Sequence, residues 1–287
     1  VHLDANRPEA REWLKTHIDY LDDVIVDALL APDNRPRVSE YGNGAMVILR
    51  GINLNEDAEP EDMISIRFWI DPDRIISTRF RKLKSVQDIR ERLEAGTGPK
   101  TSADFFVDLA TRMFERMEPI MSEMDEQIDA VEEQLLEGAS PELRQEIIEI
   151  RRRAIILRRY IAPQKEVMSF MRESDFKWIN DTHRRLLNEN YDRIMRYLDV
   201  LDSIRERSQI VKEELASMMA DRMNRNMYIL SIVASIFLPL GFLTGLLGIN
   251  VGGMPGADNP DAFWLVAGLC LFFILLVAGL FKLLKWV

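Results

Sequence analysis

The sequence predicts an α+β protein with an N-terminal α/β domain, a long helical stalk and a C-terminal hairpin of two transmembrane spans. Three observations carry this reading. Turn residues punctuate alternating apolar stretches in the first 100 residues, as paired strands require. No glycine interrupts the chain between Gly138 and Gly241, and Pro141 and Pro163 are the only prolines before Pro239. Beyond Arg225 the only charged residues are Asp258, Asp261, Lys282 and Lys285, so the formal net charge of −10 lies wholly in residues 1–225. The mean hydropathy of −0.12 is thus an average of an acidic N-terminal part and a very apolar tail.

Residues 1–100 read as the α/β domain. Arg37–Tyr41 and Ala45–Ile52 flank Gly42-Asn43-Gly44, a hairpin signal. Met63–Ile70 and Ile75–Phe80 flank Asp71-Pro72-Asp73-Arg74, a second turn. A helix from Val86 to Ala95 stops at Gly96, and Gly96-Thr97-Gly98-Pro99 marks the boundary to a helical region.

Residues 101–226 read as a helical hairpin and stalk. One helix, Ala103–Leu136, carries eight acids from Glu118 to Glu137 with the turn that follows it. After Gly138-Ala139-Ser140-Pro141 the next helix is basic, with Arg151, Arg152, Arg153, Arg158 and Arg159. Two readings stand: an antiparallel hairpin whose opposite charges compensate, or an acidic surface that concentrates cations near a pore. Leu187, Tyr191, Ile194, Leu198, Leu201, Ser208, Val211, Leu215 and Met218 form an apolar stripe broken by polar character around Arg205 and Ser208. Nothing between His183 and Tyr228 demands a stop, so stalk and first span read as one helix from Asp181 to Ile249, roughly 100 Å long at 1.5 Å per residue. His183, beside Arg184 and Arg185, reads as solvated at the stalk's start, and no catalytic constellation stands out.

The spans are residues 227–249 and 263–283, joined by a loop at 250–262 rich in Gly and Pro. Each holds a charge-free run close to the roughly 20 residues that cross a bilayer core. Arg222 and Arg225 precede the first span and Lys282 and Lys285 follow the second, while the loop carries only acids. The positive-inside rule then places both termini and the N-terminal domain in the cytoplasm. Two spans cannot enclose a pore, so conduction requires several copies. Gly241, Gly245 and Gly248 allow close helix approach, and Pro239 permits a kink. Met227, Leu230, Ala234, Leu238, Gly241 and Gly245 share one side of the helix. That side reads equally as a packing interface or as a narrow apolar pore lining.

Composition excludes other classes. A pI near 5.0 argues against nucleic-acid binding. A single cysteine rules out a disulfide framework or a paired-cysteine zinc module, and three scattered histidines add little ligand capacity, so no resident cofactor is expected.

Gly248-Ile249-Asn250 ends the first span, Met254-Pro255 lies in the short loop, and a second span reaches the C-terminus. With the long preceding helix and the acidic N-terminal domain, this resembles the CorA metal-ion transporter superfamily. Phe242-Leu243-Thr244-Gly245 with Gly252-Gly253-Met254-Pro255-Gly256, and Arg35-Pro36-Arg37-Val38 with Ile76-Ser77-Thr78-Arg79, resemble its zinc transporter ZntB branch, so the likeness covers the whole chain. Members have further residues before the equivalent of Val1-His2-Leu3, which implies that the sequence is N-terminally trimmed. The resemblance implies a CorA-like funnel homopentamer of the bacterial inner membrane, with the first span lining the pore and the second facing lipid. It further implies that Gly248, Ile249 and Asn250 form the outer mouth, where Asn250 and backbone carbonyls contact a hydrated cation, with Zn2+ as the cargo taken up and a proton gradient as the drive. Asp258 and Asp261 are candidates for attracting cations in the external loop.

Three departures bear on this. Magnesium-type members carry Gly-Met-Asn where Ile249 stands in the middle here. They tend to place an acid after Met-Pro, where this chain has Gly256, and Gly241 occupies a position where relatives often have a hydroxyl. The spans also hold no Asp, Glu or His for an embedded proton relay, and zinc prefers nitrogen and sulfur ligands, so any zinc passes hydrated. A magnesium or broad divalent-cation channel is the alternative within transport. A non-conducting, membrane-anchored oligomeric scaffold is the alternative from another class.

Overall fold

The computed structural model describes residues 1–18, 20–32, 35–138, 140–249 and 259–283. It divides into two compact units, Val1–Leu215 and Ala216–Val287.

The first unit is built on a five-stranded sheet of order β1-β5-β4-β3-β2. The strands are β1 (His2–Asp4), β2 (Arg37–Tyr41), β3 (Gly44–Gly51), β4 (Ile64–Ile70) and β5 (Ile75–Arg79). Both predicted hairpins form. β2 and β3 pair antiparallel with Tyr41 opposite Gly44, leaving Gly42-Asn43 as a two-residue loop. Gly42 has φ +60°, the positive value that the first position of a type II′ hairpin turn calls for. The Asp71 carboxylate closes the second turn by accepting from the backbone N–H groups of Asp73 at 2.9 Å and Arg74 at 3.0 Å. Its other oxygen accepts from Trp69 Nε1 at 3.0 Å. β1 pairs parallel with β5, about 75 residues away, so no local turn signal announces it.

β3 is buried along its whole length, and its alternating residues feed two cores. Met46 and Ile48, with Trp69 and Ile76, face helices α1 (Pro8–His17) and α2 (Asp23–Leu30). Ala45, Val47 and Leu49, with Ile66, Phe68 and Ile70, face the larger core made with α3 (Lys84–Glu94), α4 (Ser102–Glu115), α5 (Glu118–Glu137), α6 (Pro141–Glu173) and the start of α7 (Asp181–Gly248). Each fully buried Phe or Ile in these layers contributes about 1.5–3 kcal/mol. Arg67 is fully buried in β4; its Nη2 donates to the Pro32 carbonyl at 2.7 Å and its guanidinium lies 4.7 Å over the Phe80 ring.

Helix α3 ends as expected, with Gly96 at φ +75°. The expected single acidic helix over 103–136 is instead two helices, α4 and α5, with a break at Arg116-Met117. Pro119 is the cause. It offers no N–H, and its ring excludes the carbonyl four residues back, so Met117 takes over as the acceptor for Ile120 and Met121 at 3.1 and 3.0 Å.

The expected charge compensation also takes a different route. Arg153 of α6 meets Gln127 at 3.0 Å and Glu123 at 3.6 Å on α5, as an antiparallel hairpin would have it. The denser pairing is with α7. Arg207 chelates Glu132 at 2.8 and 2.6 Å, with Asp129 and Asp125 completing the set, and hydrogen bonding to Glu132 and then Asp129 pushes the pKa of its guanidinium further up. Arg158 of α6 in turn pairs with Asp202 of α7 at 2.7 Å. Three helices share the charge, and the acids of α5 nearest α7 are paired through Arg207, whose single positive charge leaves that set net negative.

α7 is continuous from Asp181 to Gly248: no glycine or proline interrupts it before Pro239, and it runs on past Pro239, Gly241 and Gly245. Its start corrects the reading of His183, which is buried. Asn180 Oδ1 accepts from the His183 backbone N–H at 3.0 Å, and His183 Nδ1 accepts from the Asn180 N–H at 3.2 Å, a reciprocal cap. Nε2 therefore carries the proton and donates to Asp104 Oδ1 at 2.9 Å. Asp104 is itself half of the capping box that opens α4 with Thr101. The two helix starts are thus joined through one carboxylate.

Candidate ion pathway

In the second unit, α7 and α8 (Ala262–Leu283) are each long and apolar enough to cross a membrane. The six candidate lining residues all lie on α7. At 100° per residue, Met227, Leu230, Ala234, Leu238, Gly241 and Gly245 fall within an arc of about 80°. Within one chain this arc is uncovered: Met227, Leu230 and Leu238 are exposed and Ala234 is half-buried. A Cβ built on Gly241, Gly245 or Gly248 meets nothing within 4 Å. Among the described residues, then, nothing packs against these glycines, and the room they leave is available to another helix.

The polar atoms of the span are turned onto its own backbone. Ser231 donates to the Met227 carbonyl at 2.9 Å, Ser235 to the Ser231 carbonyl at 2.8 Å, and Thr244 to the Leu240 carbonyl at 2.9 Å. Pro239 supplies no N–H to the carbonyl of Ser235, which leaves one backbone oxygen free of the ladder inside the apolar stretch.

Gly248 and Ile249 end this path, both exposed. Asn250 and Asp258 lie outside the described residues. Asp261 is exposed just before α8, where its backbone N–H donates to Asn259 Oδ1 at 3.0 Å. Cys270 sits half-buried on α8. Among the described residues no cluster of three or more His, Cys, Asp or Glu is arranged to hold a metal ion.

Sequence reasoning missed the polar residues under the stalk. Asn180, three residues before His183, was the available signal for a cap. Hydrogen bonding to His183 holds the Asp104 carboxyl below its ordinary range, and that to Arg158 does the same for Asp202. Groups with depressed folded values stabilise the protein fully above their unfolded values and lose that contribution as pH falls through the folded ones. Thermal melts of the full chain in detergent are therefore expected to shift downward from about pH 4 toward lower pH, and Asp104→Asn is expected to flatten part of that slope.

The family model for the CorA-like Mg2+ transporter protein matches residues 1–283. The divalent cation transporter CmaX of Pseudomonas aeruginosa is 42% identical over 290 residues, covering 100% of this chain and 85% of the relative. The solved structure of full-length CmaX superposes with a TM-score of 0.85, covering 99% of this chain and 88% of that one. The zinc transport protein ZntB of Yersinia enterocolitica is 38% identical over 279 residues, covering 97% of this chain and 84% of the relative. The CorA magnesium transporter of Methanocaldococcus jannaschii, 18% identical, shares the fold with a TM-score of 0.82 over 98% of this chain and 89% of that one. An α/β unit on a helix that carries the first of two apolar spans, aligned end to end with such relatives, defines a membrane transporter of divalent cations and not an enzyme. The chain belongs to the CorA-like Mg2+ transporter family. The non-conducting scaffold is set aside with that result.

Proposed function

We propose that this protein takes up Zn2+ across the bacterial inner membrane through a homopentameric pore lined by the apolar end of α7. The outer mouth is formed by Gly248, Ile249 and Asn250. The observation that carries this reading is the glycine-bearing arc of α7, which is uncovered among the described residues of one chain and which several chains would close around an axis. Five helices at 8–10 Å spacing leave a hole only a few Å in radius, by rough geometry. In this arrangement residues 1–100 and 101–226 lie in the cytoplasm as domain and stalk, both termini are cytoplasmic, and 250–262 faces outward, where Asp258 and Asp261 raise the local cation concentration. Residues 263–283 face lipid.

Zinc as cargo is supported by the 38% identity to ZntB and by Ile249 in place of the methionine of magnesium-type mouths. No histidine or cysteine lies on the proposed lining, whose one sulfur is the weakly ligating thioether of Met227, so the ion keeps its water and Asn250 holds that water by its amide oxygen. Uncharged oxygens favour a divalent ion without trapping it. A proton-coupling group, if transport uses one, lies outside the spans, which hold no acid or histidine between residues 226 and 249 or between 263 and 281.

The second reading, a broad divalent-cation pathway, is favoured by the higher 42% identity to CmaX. Competition in liposomes separates the two. The zinc reading expects dye-reported Zn2+ entry that equimolar Mg2+, Ni2+ or Co2+ barely reduces. Equal suppression by all three establishes the broad reading, and equal Zn2+ entry with and without an imposed pH gradient establishes a passive pathway. A native mass other than five copies of the 33.3 kDa chain overturns the pentamer.

A further inference from the structure

Within the first unit, the buried positions of α7 other than Leu198 alternate steps of four and three residues from His183 to Leu215. This is the 3.5-residue repeat of a helix packed lengthwise against neighbours. Taken every seventh residue, one row of that seam reads His183, Asn190, Tyr197, Ile204 and Val211. The first three are polar, and each bonds to α4. His183 Nε2 donates to Asp104 Oδ1 at 2.9 Å, Asn190 Nδ2 donates to Thr111 Oγ1 at 2.9 Å, and the Tyr197 hydroxyl donates to the Phe114 carbonyl at 3.0 Å. The first two pairs are both 79 residues apart in sequence, so α4 and α7 advance in parallel and in step. Burial raises the Tyr197 phenol to about 12, which keeps it a donor.

The row then changes character. Ile204 and Val211 offer nothing polar, and the buried Ser208 Oγ has no hydrogen-bond partner among the described residues. Along this row the bonds to α4 are therefore concentrated at its N-terminal end, while Asp202 and Arg207 pair with α6 and α5. An apolar seam tolerates sliding by a turn because one aliphatic layer replaces another. This one does not. A slide of one turn would set Leu187 where His183 meets Asp104, Ile194 where Asn190 meets Thr111, and Leu201 in the place of Tyr197, leaving every polar group of the row unsatisfied in the interior. A buried polar residue at one such position is known to fix helix register at a cost in stability.

We propose that His183, Asn190 and Tyr197 form a register lock that holds α7 at one axial position on α4. The same helix runs without a break to Gly248, and its later turns carry the proposed lining.

The test uses the full chain in a Cys270→Ser background, which removes the only native thiol. Spin labels are placed at Glu115 on α4 and Arg196 on α7, both exposed. The parent is expected to give one narrow distance distribution. The Asn190→Leu/Tyr197→Phe pair, which keeps the buried volume and the His183 cap, is expected to add a second population displaced by about one helical turn, ~5 Å. A single parental distance with unchanged helicity overturns the lock. Should the pair fail to fold, Tyr197→Phe alone decides: a second population supports the lock, and a single distance assigns these groups to stability only and overturns it.

Discussion

Asn250→Ala is expected to lower Zn2+ flux into liposomes by at least ~10-fold, the scale of loss when a group that orients an ion's inner ligands is removed. In the proposed pore the ion arrives with its water shell, and the amide oxygen of each copy grips water rather than metal. Alanine leaves the mouth open but removes the acceptor, so entry must begin with an ion that nothing orients or retains. The helix itself is expected to survive, because residue 250 follows the end of α7 at Gly248. Oligomeric mass should stay that of the parent. Asn250→Asp makes a sharper contrast: a ring of carboxylates binds the cation more tightly, so flux should saturate at lower Zn2+ while its maximum falls. Flux unchanged in both variants would remove the mouth from the account.

The second large effect is on stability. Glu61, in the segment between β3 and β4, has a side chain only 5% exposed, and it is the meeting point of Arg152 at 3.1 Å and Arg153 at 3.5 Å from α6. Arg153 is itself only 13% exposed. Glu61→Ala leaves that guanidinium in the interior with Gln127 and the distant, half-exposed Glu123 as its remaining partners. The expected loss is about 3 kcal/mol, the usual consequence of stranding one member of a buried pair. For a unit of this size that lowers the melting temperature by roughly 10 °C. Arg152→Ala is the control: its side chain is 51% exposed and also paired with Glu149, so its loss should cost under about 1 kcal/mol. Equal shifts for the two variants in a thermal melt would show that the sheet and α6 are not tied through this carboxylate.

What could be read in advance follows from how local each signal is. The hairpins at Gly42-Asn43 and Asp71-Pro72 were legible because their turn residues determine the backbone within four positions. The continuity of α7 was legible for the opposite reason, since no residue in its course interrupts the ladder before Pro239. β1 was not legible, because a three-residue strand draws its partner from β5, far along the chain. Pro119 was legible in principle: a proline two residues into a helix is tolerated, and the same residue ends whatever precedes it. The stalk's buried row was missed because periodicity was sought among apolar residues. His183, Asn190 and Tyr197 sit on the correct spacing, and only their hydrogen-bond partners on α4, about 80 residues earlier, make their burial affordable. The proposed lining rests on helical spacing and glycine placement, and the closing of those faces around an axis would depend on other copies of the chain.

The unbroken course of α7 also restricts how this protein can diverge. A single codon gained or lost anywhere between its locked beginning and its first membrane-depth residue would turn everything downstream by about 100°. Seven codons would restore the phase almost fully, at the expense of lengthening the rod by about 10 Å. Natural length variation in this stretch should therefore come in whole repeats, while substitutions on its wet side remain comparatively free.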